Sequence, residues 1–165
     1  MNRTQGRDLC GPNFLKDLMD REDAFVVGTF DGNRLLGVAT AKIIDNYDYY
    51  LPFNPHINED LKGLKVGSFA TMSVVESMQG KGIGQKMGHK RLEWLRQQAC
   101  DVVVGVSWVS GLKHTSNRAF EKLGFRPIKL VEKFYRASSI ENPFVCPGCG
   151  EPPCDCSAVL YMLHL

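Results

Sequence analysis

At 165 residues, 44% of them hydrophobic, the chain holds enough apolar material for one globular core, and a single domain spanning residues 1–165 is the expectation. Its net charge of +2 is spread without a basic run or an aromatic-interleaved stripe, which argues against a nucleic-acid partner. No apolar run approaches the roughly 18 residues of a membrane helix, and the polar Met1 to Asp8 does not form a signal-peptide core, so no membrane partner and a cytoplasmic location are expected. In that setting the six cysteines are expected to be reduced or metal-bound rather than bridged.

Pro12 to Glu22 predicts a short helix, because Pro12 suits a first helical position and Phe14, Leu15, Leu18 and Met19 recur at helical spacing. Ala24 to Phe30 and Arg34 to Ile44 are apolar, β-branched strands joined by the hairpin turn Asp31-Gly32-Asn33. Asp45 to Gly63 follows as a long polar and aromatic loop broken by Pro52 and Pro55; its tyrosines either pack on the sheet or wall a pocket. Leu64 to Val75 returns as a strand, Gly82 to Ala99 is an amphipathic helix whose apolar stripe Arg91 interrupts, and Val102 to Val109 reads as a strand buried on both faces. That last strand should lie parallel beside the one ending at Val75. Thr115 to Leu123 predicts a helix stopped by Gly124, and Ile128 to Ala137 and Ala158 to Leu163 predict two more strands.

Strand, glycine turn and helix meet at Gln79-Gly80-Lys81-Gly82-Ile83-Gly84-Gln85. Alternate glycines let the backbone turn sharply and approach a ligand, and the unpaired N–H groups of the following helix point where its dipole is positive. Such a place binds phosphate; the alternative is a glycine turn that merely packs. A Walker loop is excluded because Lys81 sits inside the turn with no Ser or Thr beside it, and a dinucleotide fingerprint is disfavoured by the glycine spacing.

Gln79-x-x-Gly82-x-Gly84 after a strand resembles the pyrophosphate-binding motif of the GNAT superfamily of acyl-CoA N-acyltransferases. Ser116-Asn117-Arg118-Ala119-Phe120-Glu121-Lys122-Leu123-Gly124-Phe125 resembles the second family segment, which packs along the pantetheine arm. The resemblance covers roughly residues 24–137. It implies an α/β (α+β) fold with a mixed, mainly antiparallel central sheet flanked by helices and splayed between the family's fourth and fifth strands. It also implies transfer of an acetyl group from acetyl-CoA to a primary amine on a small molecule or peptide. The cofactor residues so implied are Met72 and Val74 by their backbone N–H groups, Gln79 to Gln85 in the turn, and Asn117. Phe120 stands where many members carry an acidic tyrosine and Lys113 where an asparagine is usual, so the family pattern passes the role of acid to Ser116; the alternative is that Ser116 caps its helix. The strand segment Val66 to Ala70 holds no carboxylate, which leaves His56, Glu59 or Asp60 of the long loop, or a water held by Ser68, as base. Nothing in Met1 to Gly11 can supply the family's first strand, so the sheet starts one strand short or its edge is covered by the leader peptide or by a partner chain, for instance a second copy in a homodimer.

Cys146-Pro147-Gly148-Cys149 and Cys154-Asp155-Cys156, within a loop at residues 143–156, offer four thiolates for one tetrahedral zinc; free thiols, disulfides and iron are the alternatives. Cys100 reads as a core residue. Two further functional readings stay open: a non-catalytic acyl-CoA-binding or regulatory module with a zinc-stabilised interaction loop, and an interaction domain built on zinc alone.

Overall fold

The computed structural model describes residues 10–110 and 116–165. In chain order its elements are α1 (Phe14–Met19), β1 (Ala24–Asp31), β2 (Arg34–Ile44), α2 (Ile57–Asp60), β3 (Val66–Val74), α3 (Ile83–Gln97), β4 (Val102–Val109), α4 (Asn117–Lys122), β5 (Arg126–Val131), α5 (Arg136–Glu141) and β6 (Ser157–His164). The strands form one sheet in the order β1-β2-β3-β4-β6-β5, antiparallel throughout except for the parallel pair β3/β4. This is the mixed, mainly antiparallel sheet expected from the sequence.

Both faces of the central strands are covered, which explains the unbroken apolar run of β4. Val103 joins Phe69, Leu92, Leu95, Phe120 and Tyr161 in a core under α3 and α4, whereas Val102 and Val104 join Tyr50, Phe53, Ile57, Leu61 and Leu160 under the long loop. The loop is therefore partly core: Phe53, Ile57 and Leu61 are buried, and α2 and a single 3-10 turn at Asp48–Tyr50 order its backbone. Cys100 is buried in the helix-side core. The predicted Pro12 to Glu22 helix contracts to the six residues of α1, which rest on β1 without burying any side chain.

The feature that shapes the molecule is a bulge. Phe69 pairs with Ala41 and Met72 with Ala39, so Ala70 and Thr71 of β3 stand opposite the single residue Thr40. A bulge bends its strand and sharpens its twist. Pairing with β4 stops at this point: Val66–Phe69 lie against Val102–Gly105, and beyond them the two strands part. The expected splay thus falls between β3 and β4, the fourth and fifth strands in the family's count.

The predicted strand Ile128 to Ala137 needs correction. β5 ends at Val131, the chain turns with Lys133 at a φ of +51°, and α5 begins at Arg136. Phe134 and Tyr135 do not alternate across a sheet. Phe134 packs on Phe53 and Tyr49, with ring centroids 4.6 and 5.4 Å apart, so tertiary contacts with the long loop take these aromatics out of the strand.

Candidate active site

A cleft of about 840 Å³ runs along the parting of β3 and β4, from the glycine turn at one end to the cysteine loop at the other. At the turn, Gly80 and Gly82 adopt φ values of +75° and +82°, in the left-handed region that glycine tolerates. Gly82 is the N-cap of α3 and no side chain caps the helix, so the N–H groups of Ile83, Gly84 and Gln85 in its first turn have no intrahelical acceptor. The Gln79 amide donates to the Val74 carbonyl at 3.1 Å, tying the turn to the end of β3. Gln79, Gly80, Gly82, Ile83, Gly84 and Gln85 all line the cleft; the exposed Lys81 does not. Arg118 and Lys122 of α4 line it as well, adding two cations to its wall.

Along β3 the amide directions follow from strand alternation. The Thr71 N–H bonds Thr40 Oγ1 at 3.2 Å and the Val75 N–H bonds the Leu36 carbonyl at 2.8 Å, both toward β2. The N–H groups of Met72 and Val74 therefore face the gap. Opposite them stands Ser116, whose side chain makes no capping bond; its hydroxyl lies 2.7 Å from that of Ser107 on β4. Ser107 is fully buried and donates to Asn117 Oδ1, so the proton in the Ser107–Ser116 contact belongs to Ser116. Ser116 is thus held by a buried hydroxyl rather than by the helix it precedes, and it lines the cleft. The side chain of Asn117 is used in this network, and Asn117 does not line the cleft. Lys113 lies outside the described residues.

The other side of the cleft is aromatic. Tyr49, Tyr50, Trp108, Tyr135 and Phe144 line it, together with Lys42 and Ser68. Tyr50 and Ser68 share a hydrogen bond of 3.0 Å, and burial raises the Tyr50 hydroxyl above the usual phenol range. Tyr49 keeps an exposed ring edge but turns its hydroxyl inward to Tyr135; burial pushes the Tyr49 hydroxyl up to about 12 and raises that of Tyr135 as well. All three are neutral near pH 7. Among the described residues no Asp or Glu lines the cleft. His56, Glu59 and Asp60 sit exposed at α2, with Asp60 accepting from Asn54 at 2.7 Å, and the structure does not bring them to the cleft. Their sequence pattern resembled a polar loop near a pocket, but α2 turns its apolar Ile57 and Leu61 inward and so its charges outward.

Cys146, Cys149, Cys154 and Cys156 come together at the far end, with every Sγ within 4.8 Å of the others. Separations of 3.2, 3.7 and 3.9 Å bracket the edge of about 3.8 Å that four sulfurs at the usual zinc distance would define. The N–H groups of Gly148 and Cys149 both donate to Cys146 Sγ at 3.4 Å. Burial pushes the Cys154 thiol up to about 11 and raises Cys156, against a hydrogen bond from Trp108; on Cys149 the bonds from its neighbours outweigh burial and lower it. The loop is fastened to α5: the Cys154 N–H donates to Ser139 Oγ at 2.8 Å, and Arg136 pairs with Asp155. Cys146 and Cys154 line the cleft, so this centre forms its end wall. Sequence reasoning missed Ser107, Arg118, Lys122, Trp108 and Tyr135; a lone Ser inside the apolar run of β4 was the one available signal.

The profile of the acetyltransferase (GNAT) family matches residues 3–125. The chain belongs to the GNAT acetyltransferase family. No curated protein matches it. Among solved structures, it is similar to a Bacillus subtilis acetyltransferase in complex with CoA (15% identity, TM-score 0.59, covering 94% of this chain and 84% of that one). It is also similar to a chain of the NatC complex bound to Gag peptide and CoA (14%, 0.63, 99% and 87%) and to an agmatine N-acetyltransferase (12%, 0.62, 98% and 87%). At these identities the likeness is one of fold, and the family assignment rests on the profile. Membership implies an acyl-CoA-dependent acetyl transfer.

Proposed function

We propose that this chain is an N-acetyltransferase that moves the acetyl group of acetyl-CoA directly to a primary amine. The observation that carries the reading is the continuity of the cleft, in which a helix start rich in backbone donors, a strand edge with inward N–H groups and a hydroxyl lie in series. The pyrophosphate rests on the N–H groups of Ile83 to Gln85, with Arg118 and Lys122 beside it. The Met72 or Val74 N–H orients the thioester carbonyl and stabilises charge on its oxygen as the amine attacks. The carbon–sulfur bond breaks toward Ser116, which gives its proton to the thiolate and is reprotonated from solvent in the cleft. With no carboxylate on the cleft wall, a water held against the hydrogen-bonded hydroxyls of Ser68 and Tyr50 takes the proton of the amine.

The acceptor enters from the aromatic side. Four thiolates of the cysteine loop hold one zinc, in the closed four-sulfur arrangement of structural sites, and so fix the wall that acceptors meet. The test is a screen of peptides, polyamines and aminoglycosides with acetyl-CoA, reading thiol release and the mass of the acetylated amine. Acceptor-dependent release supports the reading; CoA binding without release for any acceptor class would favour a non-catalytic acyl-CoA-binding module.

A further inference from the structure

The Arg91 side chain is the one charge in α3 that faces inward, and among the described residues it has no carboxylate partner. It is 4% exposed, its guanidinium carbon lies 3.7 Å over the centre of the Phe69 ring, and Nη1 donates to the Thr40 carbonyl at 3.3 Å. Among the described residues Nη2 meets the Met72 sulfur at 3.7 Å, and Nε is buried without a hydrogen-bond partner. A helix that needed only a core residue here would carry Leu or Met, because a buried guanidinium forfeits its hydration. Burial alone pulls Arg91 down to about 9, so it remains charged at neutral pH.

Arg91 borders a second cavity of about 80 Å³, lined also by Phe69, Met72, Val106, Ser116 and Phe120 among others. Phe69, Met72, Val106 and Ser116 also line the main cleft, so the cavity adjoins the place where the thioester would sit. Its volume is several times the roughly 10–15 Å³ that one water-sized group requires. A methyl group would leave most of it empty and the guanidinium unpaired.

We infer that this cavity is an acyl-tail subsite in which Arg91 pairs with a carboxylate, so that CoA thioesters of short acyl groups ending in a carboxylate serve as donors beside acetyl-CoA. The inference rests on the CoA reading above and adds a class of donor to it. Nη2 carries a second N–H beyond the one near the Met72 sulfur, a charged donor suited to an anion, whereas Nε is sealed by its surroundings. The transfer itself is unchanged: the amine nitrogen bonds to the thioester carbon, the carbon–sulfur electron pair leaves with sulfur, which is protonated, and the distal carboxylate stays ionised.

The test compares binding of malonyl-CoA, isovaleryl-CoA, acetyl-CoA and CoA to the full chain by calorimetry. Isovaleryl matches malonyl in shape but carries no charge. Malonyl-CoA should bind at least about tenfold more tightly than isovaleryl-CoA, a difference of about 1.4 kcal/mol. Arg91→Leu should abolish that advantage while leaving CoA affinity within about twofold. Because Arg91 also props Thr40 at the bulge, Arg91→Lys provides a charged control that should keep part of the advantage. Equal or weaker binding of malonyl-CoA by the unaltered protein, with CoA bound normally, would overturn the inference alone; failure of CoA itself to bind would overturn the cofactor reading and this inference with it.

Discussion

Replacing Gly82 separates a glycine that binds from one that only turns. At a φ of +82°, a Cβ on this residue would meet no atom within 4 Å, so the substitution overpacks nothing; it stands in open space on the cleft wall. The folding cost is then backbone strain, about 1–2 kcal/mol for Gly82→Ala and more for a β-branched residue. For a chain of this size that lowers the melting temperature by about 2–8 °C. The binding cost is separate. Relaxing φ would rotate the first-turn N–H groups of α3, and losing one hydrogen bond to a charged group costs about 1.5–3 kcal/mol, or roughly 10- to 150-fold in affinity. Calorimetry should therefore show CoA affinity falling at least about tenfold in Gly82→Val while that of acetyl-pantetheine, which lacks the pyrophosphate, stays within about twofold. If both ligands weaken equally, or neither does, the turn is not the phosphate site.

Ser116→Ala should lower turnover by about 10²–10⁴-fold with CoA affinity nearly unchanged, measured by thiol release and calorimetry; full turnover would pass the role to water. Gly105→Val should destabilise the fold by about 1–3 kcal/mol in denaturant titration, because its Cβ would sit 2.5 Å from a Phe120 ring that is itself stacked on Tyr161. Elemental analysis of protein purified without added metal should give about one zinc per chain, and chelation should loosen the cysteine loop before the domain unfolds. With Cys154 at about 11 and Cys156 raised, both thiols are protonated in metal-free protein near pH 7, so zinc must displace their protons and its affinity should rise with pH across about 6–8. An affinity flat over that range would contradict thiolate ligation.

The parts of the fold that were legible are those in which local chemistry and tertiary demand agree. Asp31 and Arg34 pair across a Gly32-Asn33 turn, the run from Val102 to Val109 is β4 to the residue, and the glycine turn opens α3 where its spacing required. The illegible parts depend on partners distant in sequence. Phe134 and Tyr135 have strand propensity but leave the sheet for Phe53 and Tyr49, and α5 owes its place to Ser139 and Arg136 gripping the cysteine loop. Arg91 reads in sequence as a fault in an apolar stripe; only the bulge at Thr40 and the Phe69 ring beneath it show why a cation is there. The bulge itself has no sequence marker, since it arises from the offset between β2 and β3 rather than from any residue's own preference. The loop carboxylates were misplaced for the same reason: polarity and proximity in sequence do not fix which face of α2 meets the sheet.

The most direct measurement is a crystal structure of the complex with acetyl-CoA. The account predicts pyrophosphate oxygens on the N–H groups of Ile83, Gly84 and Gln85, the thioester carbonyl facing Met72 or Val74, and the sulfur within hydrogen-bonding reach of Ser116. Acetyl-CoA bound elsewhere, or lying with its thioester outside the parting of β3 and β4, would contradict it.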